Sequence, residues 1–117
     1  MAGFIEIKLR WPKSVPVDQI SVEFIQGMLD RMAMGFYSYG HVMRQACPPD
    51  AIACDRLRLK AYRKTHNTES LIDRANFNMM EFMRPKDPKA FFASTSRKET
   101  PGAILMDKRR VKGKEEF

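Results

Sequence analysis

The segment from His66 to Pro85, HNTESLIDRANFNMMEFMRP, constrains this chain more than any other. It carries a helix start, a helix stop and three distinct faces. Asn67 or Thr68 can accept a backbone N–H at the start, and Glu69 and Asp73 suit the positive end of the helix dipole. Pro85 forbids continuation, and Arg84 places a cation at the negative end. At 3.6 residues per turn, Leu71, Ile72, Ala75, Met79, Phe82 and Met83 form one broad apolar arc. Glu69, Asp73, Asn76 and Met80 run along its rim, and Ser70, Arg74, Asn78 and Glu81 make up the face expected in water.

Two carboxylates and an amide at the rim of a core are costly to desolvate without partners. Three kinds of partner meet that need: a metal, a phosphate-bearing ligand held through a metal, or a basic group from another element. The plainer alternative is an N-terminal cap with helix-surface ion pairs, which are common and worth little.

Elsewhere the pattern is mostly helical. Ile20, Phe24, Ile25, Met28, Leu29, Met32 and Phe36 recur at helical spacing after a cap at Asp18 or Ser21, predicting a helix to about Tyr37. Gly27 and Gly35 each weaken it by about 1 kcal/mol against Ala, and small residues there admit close packing of a second helix. Glu23 and Asp30 are placed to complete a carboxylate cluster with Glu69 and Asp73, or else sit on the rim of a core helix. In Gly35–His41, Tyr37, Tyr39 and His41 can stack on a base or bond a phosphate; equally, Gly40 can close the helix with the tyrosines half-buried. Asp50 caps a further helix from Ala51 to about Lys64, whose outer surface carries Arg56, Arg58, Lys60, Arg63 and Lys64.

One stretch differs. Phe4–Trp11, FIEIKLRW, alternates cleanly, with Ile5, Ile7, Leu9 and Trp11 on one side and Glu6, Lys8 and Arg10 on the other. That is a strand with one buried face, ended by Pro12. It needs a partner. Ala103–Met106 is the other extended candidate, so the two pair within the chain or one pairs with another subunit. After Pro85, Phe91 and Phe92 are too apolar for a bare tail, and the segment is expected to lie on the helices. Thr95, Ser96 and Arg97 put two hydroxyls and a guanidinium in three residues, suited to phosphate.

The chain has 117 residues, enough for one core. The expectation is a single helical domain over 1–107 and a basic tail over 108–117. A formal charge of +7 favours an anionic partner. The tail KRRVKGK, with Lys108, Arg109 and Arg110, adds to that surface or is simply solvated. No apolar run is long enough to span a bilayer, which leaves a cytoplasmic protein as the default. Cys47 and Cys54, either side of PPDAIA, read as reduced thiols or as a small disulfide loop, not as half of a zinc site. No phosphate-binding glycine loop, nucleophile elbow or zinc-protease motif is present.

The pattern Arg58, Tyr62, Thr65, Asn67-Thr68-Glu69, Leu71, Asp73, Ala75-Asn76-Phe77, Glu81-Phe82-Met83, Pro85, Pro88, Ala90, Phe92, Thr95 and Pro101-Gly102, with the upstream RMAMGFYSYG, resembles a family of small phage-borne and actinobacterial proteins of unassigned role. This chain departs from that family at His66, where glycine is usual, and at Arg74, where a small apolar residue is usual. It also has Phe91 and Ser96 where His and Asp are usual. Glu69, Asp73 and Asn76 are more loosely similar to the later metal-binding helix of MazG-like all-α nucleoside triphosphate pyrophosphohydrolases. That likeness implies magnesium held against a triphosphate. The earlier ExxE helix of that family is absent, and Glu23 or Asp30 would have to stand in.

Three function classes follow. In the first, a phage-type protein of an infected or host bacterial cell binds a nucleotide or other phosphate-bearing ligand, to sequester or hydrolyse it. Glu69, Asp73 and Asn76 face magnesium or ribose, His66, Thr95, Ser96 and Arg97 face phosphate, and Asn67 belongs to the same ligand site. In the second, a non-enzymatic anti-defence or nucleic-acid-binding protein acts through Arg56, Arg58, Arg63, Lys64, Lys108, Arg109 and Arg110. In the third, the chain is a virion assembly component. The fold expected throughout is mainly α: three core helices, one N-terminal β-strand and an extended C-terminal segment packed on them, in a homo-oligomer.

Overall fold

The structure is a computed structural model and describes residues 3–95. It is mainly helical, with α1 over Val22–Tyr39, α2 over Ala51–Thr65 and α3 over Glu69–Met83, and single 3-10 turns at Val17–Gln19 and Val42–Arg44. The chain divides into two units, Met1–Lys86 and Asp87–Phe117. All three helices belong to the first.

Each helix begins where a side-chain oxygen can take up a backbone N–H left unpaired by the first turn. Ser21 Oγ accepts from Phe24 N at 3.0 Å, and Asp50 Oδ1 accepts from Ala53 N at 3.1 Å. For α3, Asn67 Oδ1 accepts from Glu69 N at 3.0 Å, while Thr68 makes no side-chain cap. Helix α1 ends at Gly40, whose φ of 73° is one that glycine adopts without strain, and its N–H reaches Phe36 O at 2.8 Å. Tyr37 and Tyr39 beside it are exposed, and His41 meets the Phe36 ring edge-on at 5.7 Å. Helix α2 closes on His66, which takes the left-handed α conformation at φ 63°, ψ 17° without glycine's freedom.

Helix α3 is the element on which the other two pack, α2 more extensively than α1. Gly27 sits where α1 crosses α3: a Cβ built there lies 2.8 Å from Ile72 Cδ1, so the missing side chain allows the approach. The faces of α3 differ from the periodicity reading. Ser70, read as wet, is 7 % exposed, and Asp73 is 8 % exposed, while Phe82 and Met83 on the apolar arc are exposed. The covered surface of α3 thus centres on Ser70 and Asp73, with Leu71, Ile72, Ala75 and Met79 of the arc half-buried and Glu69 of the rim exposed. Among the described residues Ala51 is the buried apolar side chain, at 4 % exposure.

No strand forms among the described residues. Phe4–Trp11 carries no ladder, and Phe4, Ile5, Ile7 and Leu9 stand in solvent. The alternation is real, but the chain offers this segment no pairing edge among those residues, and Ala103–Met106 lies outside them. In the second unit, Asp87 makes a turn: its Oδ1 accepts from Lys89 N at 2.9 Å and its carbonyl from Ala90 N at 3.1 Å. Phe91 and Phe92, read as needing cover, are exposed.

Candidate functional site

The rim carboxylates of α3 are met by cations from both neighbouring helices. Asp73 receives a two-pronged pair from Arg31 of α1, Nε to Oδ1 at 3.0 Å and Nη2 to Oδ2 at 3.3 Å. Arg58 of α2 approaches the same Oδ2 with its Nε at 3.5 Å. Glu69, one turn earlier, lies 3.8 Å from Arg31 Nη2. The Asp73 hydrogen bond, aided by the charges of Asp73 and Glu69, raises the Arg31 guanidinium above its ordinary value against the opposing effect of burial. One carboxylate thus ties three helices together.

A second pair joins α2 to α3. Asp55 accepts from Arg74 Nε at 2.8 Å and Nη2 at 3.3 Å, and from Asn78 Nδ2 at 2.9 Å. The pKa of Arg74 is raised chiefly by that hydrogen bond. Asn76 turns toward α1, donating from Nδ2 to Met28 O at 2.9 Å, and its Oδ1 is buried with no partner. Arg84 closes the far end of α3, donating from Nη1 to Met43 O at 2.9 Å and Gln45 O at 2.7 Å.

The sequence-predicted residues therefore separate. Glu69 and Asp73 share Arg31, which the periodicity did not single out, whereas Asn76 is held by the α1 backbone at Met28. Glu23 and Asp30 do not join them: Glu23 accepts from Ser21 Oγ at 3.4 Å and Asp30 from Gln26 Nε2 at 3.0 Å, both local to α1. No cluster of three carboxylate, imidazole or thiol groups able to hold a metal ion occurs among the described residues. His66 and Asn67 sit in the α2–α3 turn, exposed. Thr95 belongs to the second unit, and Ser96, Arg97, Lys108, Arg109 and Arg110 lie outside the described residues. An open cleft of about 250 Å³ lies between the α1–α2 connection and the end of α3, lined by Met43, Cys47, Pro48, Met80 and Arg84, and none of the predicted ligand residues borders it. Cys47 and Cys54 are free thiols.

On α2 the outer surface is a different matter. Arg56, Lys60, Arg63 and Lys64 fall on one stripe at helical spacing, all exposed, and none forms an ion pair among the described residues. The one acid of this helix, Asp55, is turned inward to Arg74. Arg58, grouped with the stripe in the sequence reading, instead bends toward Asp73 with 44 % of its side chain exposed.

Fold and site together define a small three-helix protein with an ion-paired interior and a basic outer helix. Comparison with protein-family models, curated proteins and solved structures gives no match. No described helix is long and apolar enough to cross a membrane.

Proposed function

We propose that this protein is a non-enzymatic interaction module that binds an anionic polymer, nucleic acid in the first instance, through the outer face of α2. The observation that carries this reading is the contrast between two sets of charges. Asp73 of α3 already accepts two hydrogen bonds from Arg31, and Glu69 lies 3.8 Å from the same guanidinium. Arg56, Lys60, Arg63 and Lys64 have no such partner among the described residues and project together from one helix. Unpaired cations along a helix release condensed counterions when they meet a phosphate backbone, which favours sequence-independent binding.

The test is duplex binding as a function of salt. Four phosphate contacts give a slope of log K against log salt of about −3.6. Replacing Arg56 and Lys60 by Gln should flatten that slope by about 1.8 and weaken binding alike on every sequence. A slope near zero, or one unaffected by those substitutions, overturns the proposal. The alternative, a nucleotide or phosphate ligand held through magnesium by Glu69, Asp73 and Asn76, first requires Arg31 and Arg58 to be displaced from Asp73.

A further inference from the structure

Phe4–Trp11 has the pattern of a half-buried strand, yet among the described residues it has nothing to bury against. Ile5, Ile7 and Leu9 are 88 %, 68 % and 77 % exposed. At its base, residues 11–15 form a local turn: Val15 N donates to Pro12 O at 3.1 Å, and Trp11 Nε1 donates to Val15 O at 2.8 Å. No backbone hydrogen bond from residues 3–10 is formed within the described chain. Such a segment, alternating and unpaired, is a template for another strand.

We infer that two copies of this chain pair through residues 4–10 as an antiparallel β-ribbon centred on Ile7. The charges select both partner and register. Shifting an antiparallel pair by one residue sets apolar residues beside charged ones, so registers that keep Ile5, Ile7 and Leu9 on one face must centre on a residue, not between two. Centring on Glu6 opposes Glu6 to Glu6, and centring on Lys8 opposes Lys8 to Lys8; like charges directly opposite are destabilising. Centring on Ile7 places Glu6 opposite Lys8 twice by symmetry, Ile5 opposite Leu9 twice, and Ile7 opposite itself. Phe4 falls opposite Arg10, a guanidinium–aromatic contact, and no pair in this register opposes like charges. Ala103–Met106, with no charge to offer Glu6 or Lys8, lacks that complementarity. The exposed stripe Val22, Leu29, Met32 and Phe36 of α1 supplies further apolar surface for the ribbon's inner face. The inference does not depend on nucleic-acid binding.

The register makes the test specific. In the full chain with Cys47→Ser and Cys54→Ser, Ile7→Cys should oxidise to a disulfide-linked dimer, because directly opposed residues bring Cα atoms within disulfide range. Glu6→Cys and Lys8→Cys should each stay monomeric on denaturing gels alone and cross-link when mixed. By sedimentation the wild type should be a dimer. Glu6→Lys should weaken it by about tenfold or more, and the swap Glu6→Lys/Lys8→Glu should restore it. Circular dichroism confirms in each case that the helices are intact. A monomeric wild type, self-linking of Lys8→Cys in place of Ile7→Cys, or no rescue by the swap overturns the inference; a monomer is also the outcome if the arm pairs within its own chain.

Discussion

Replacing Arg31 with methionine keeps the unbranched stem but removes both donors to Asp73. The carboxylate, whose side chain is 10 % exposed, is then left with Arg58 at 3.5 Å as its nearest cation. Removing one partner from a fully buried pair costs about 3–5 kcal/mol. Two features of this site lower that figure. Water reaches the Arg31 side chain, which is 30 % exposed, and Arg58 can move closer. The expected loss is about 2 kcal/mol. Urea unfolding followed by helical circular dichroism reads it directly: with a slope of about 1–2 kcal/mol/M, the midpoint falls by about 1–2 M. The double variant Arg31→Met/Asp73→Leu removes both charges and should come back to within about 1 kcal/mol of the parent. Because the guanidinium pKa is raised, this contribution is fully present below the unfolded value and is lost only as pH rises through the folded one, so that ionisation leaves it constant around neutrality. An Arg31→Met midpoint indistinguishable from the parent's refutes the reasoning, since the pair would then behave as an ordinary surface contact.

His66→Gly should stabilise by about 0.5–1 kcal/mol, since glycine adopts the left-handed C-cap without the strain of a Cβ; a lower melting temperature would count against the cap geometry. Asp50→Ala should cost about 1 kcal/mol through loss of the α2 cap, measured by the same urea midpoint, and Asp50→Asn should cost far less. Magnesium, with or without a nucleoside triphosphate, should leave the melting temperature unchanged, because Arg31 and Arg58 already occupy both oxygens of Asp73. A rise of several degrees that Asp73→Asn abolishes would instead favour the nucleotide reading.

The helices were legible because their signals are local. Ser21, Asp50 and Asn67 cap within three residues of themselves, and Gly40 and Pro85 end helices by backbone chemistry alone. The faces of α3 were less so. Periodicity separates apolar from polar positions but does not tell which side a second and third helix will cover. Ser70 of the expected wet face and Asp73 of the rim are the buried residues of α3, which packs against both α1 and α2. The need of Glu69 and Asp73 for partners could be read, whereas the identity of that partner, Arg31, could not: it stands 42 positions upstream of Asp73 amid an apolar helix. A signal existed, since Arg31 is the lone cation of α1 and shares its face with Phe24, Gly27 and Met28. Asp55 could have been found likewise, as the single acid on a helix otherwise charged by Arg and Lys. At residues 4–11 the alternation marks two faces locally, but a ladder needs a second edge, and none meets this segment among the described residues.

The ion pairs also decide how α2 and α3 are aligned. Asp55 meets Arg74, and one turn further along α2 Arg58 meets Asp73, so the polarity of the contact alternates along the antiparallel helices. Sliding α2 by one turn would set Arg58 against Arg74 and strip Asp73 of a cation, a penalty that apolar packing of Leu and Met at helical spacing would not impose. Such pairs specify register while adding little net stability over an apolar contact of equal shape. The stabilising term must therefore come from apolar burial, and among the described residues this amounts to Ala51 with a set of half-covered side chains. Meanwhile Ile5, Ile7 and Leu9 on the arm and Val22 and Phe36 on α1 remain in water. Pairing of two arms through Ile7, as inferred above, would cover part of this exposed apolar surface and predicts a melting temperature that rises with protein concentration; one that stays constant over about a hundredfold dilution counts against it.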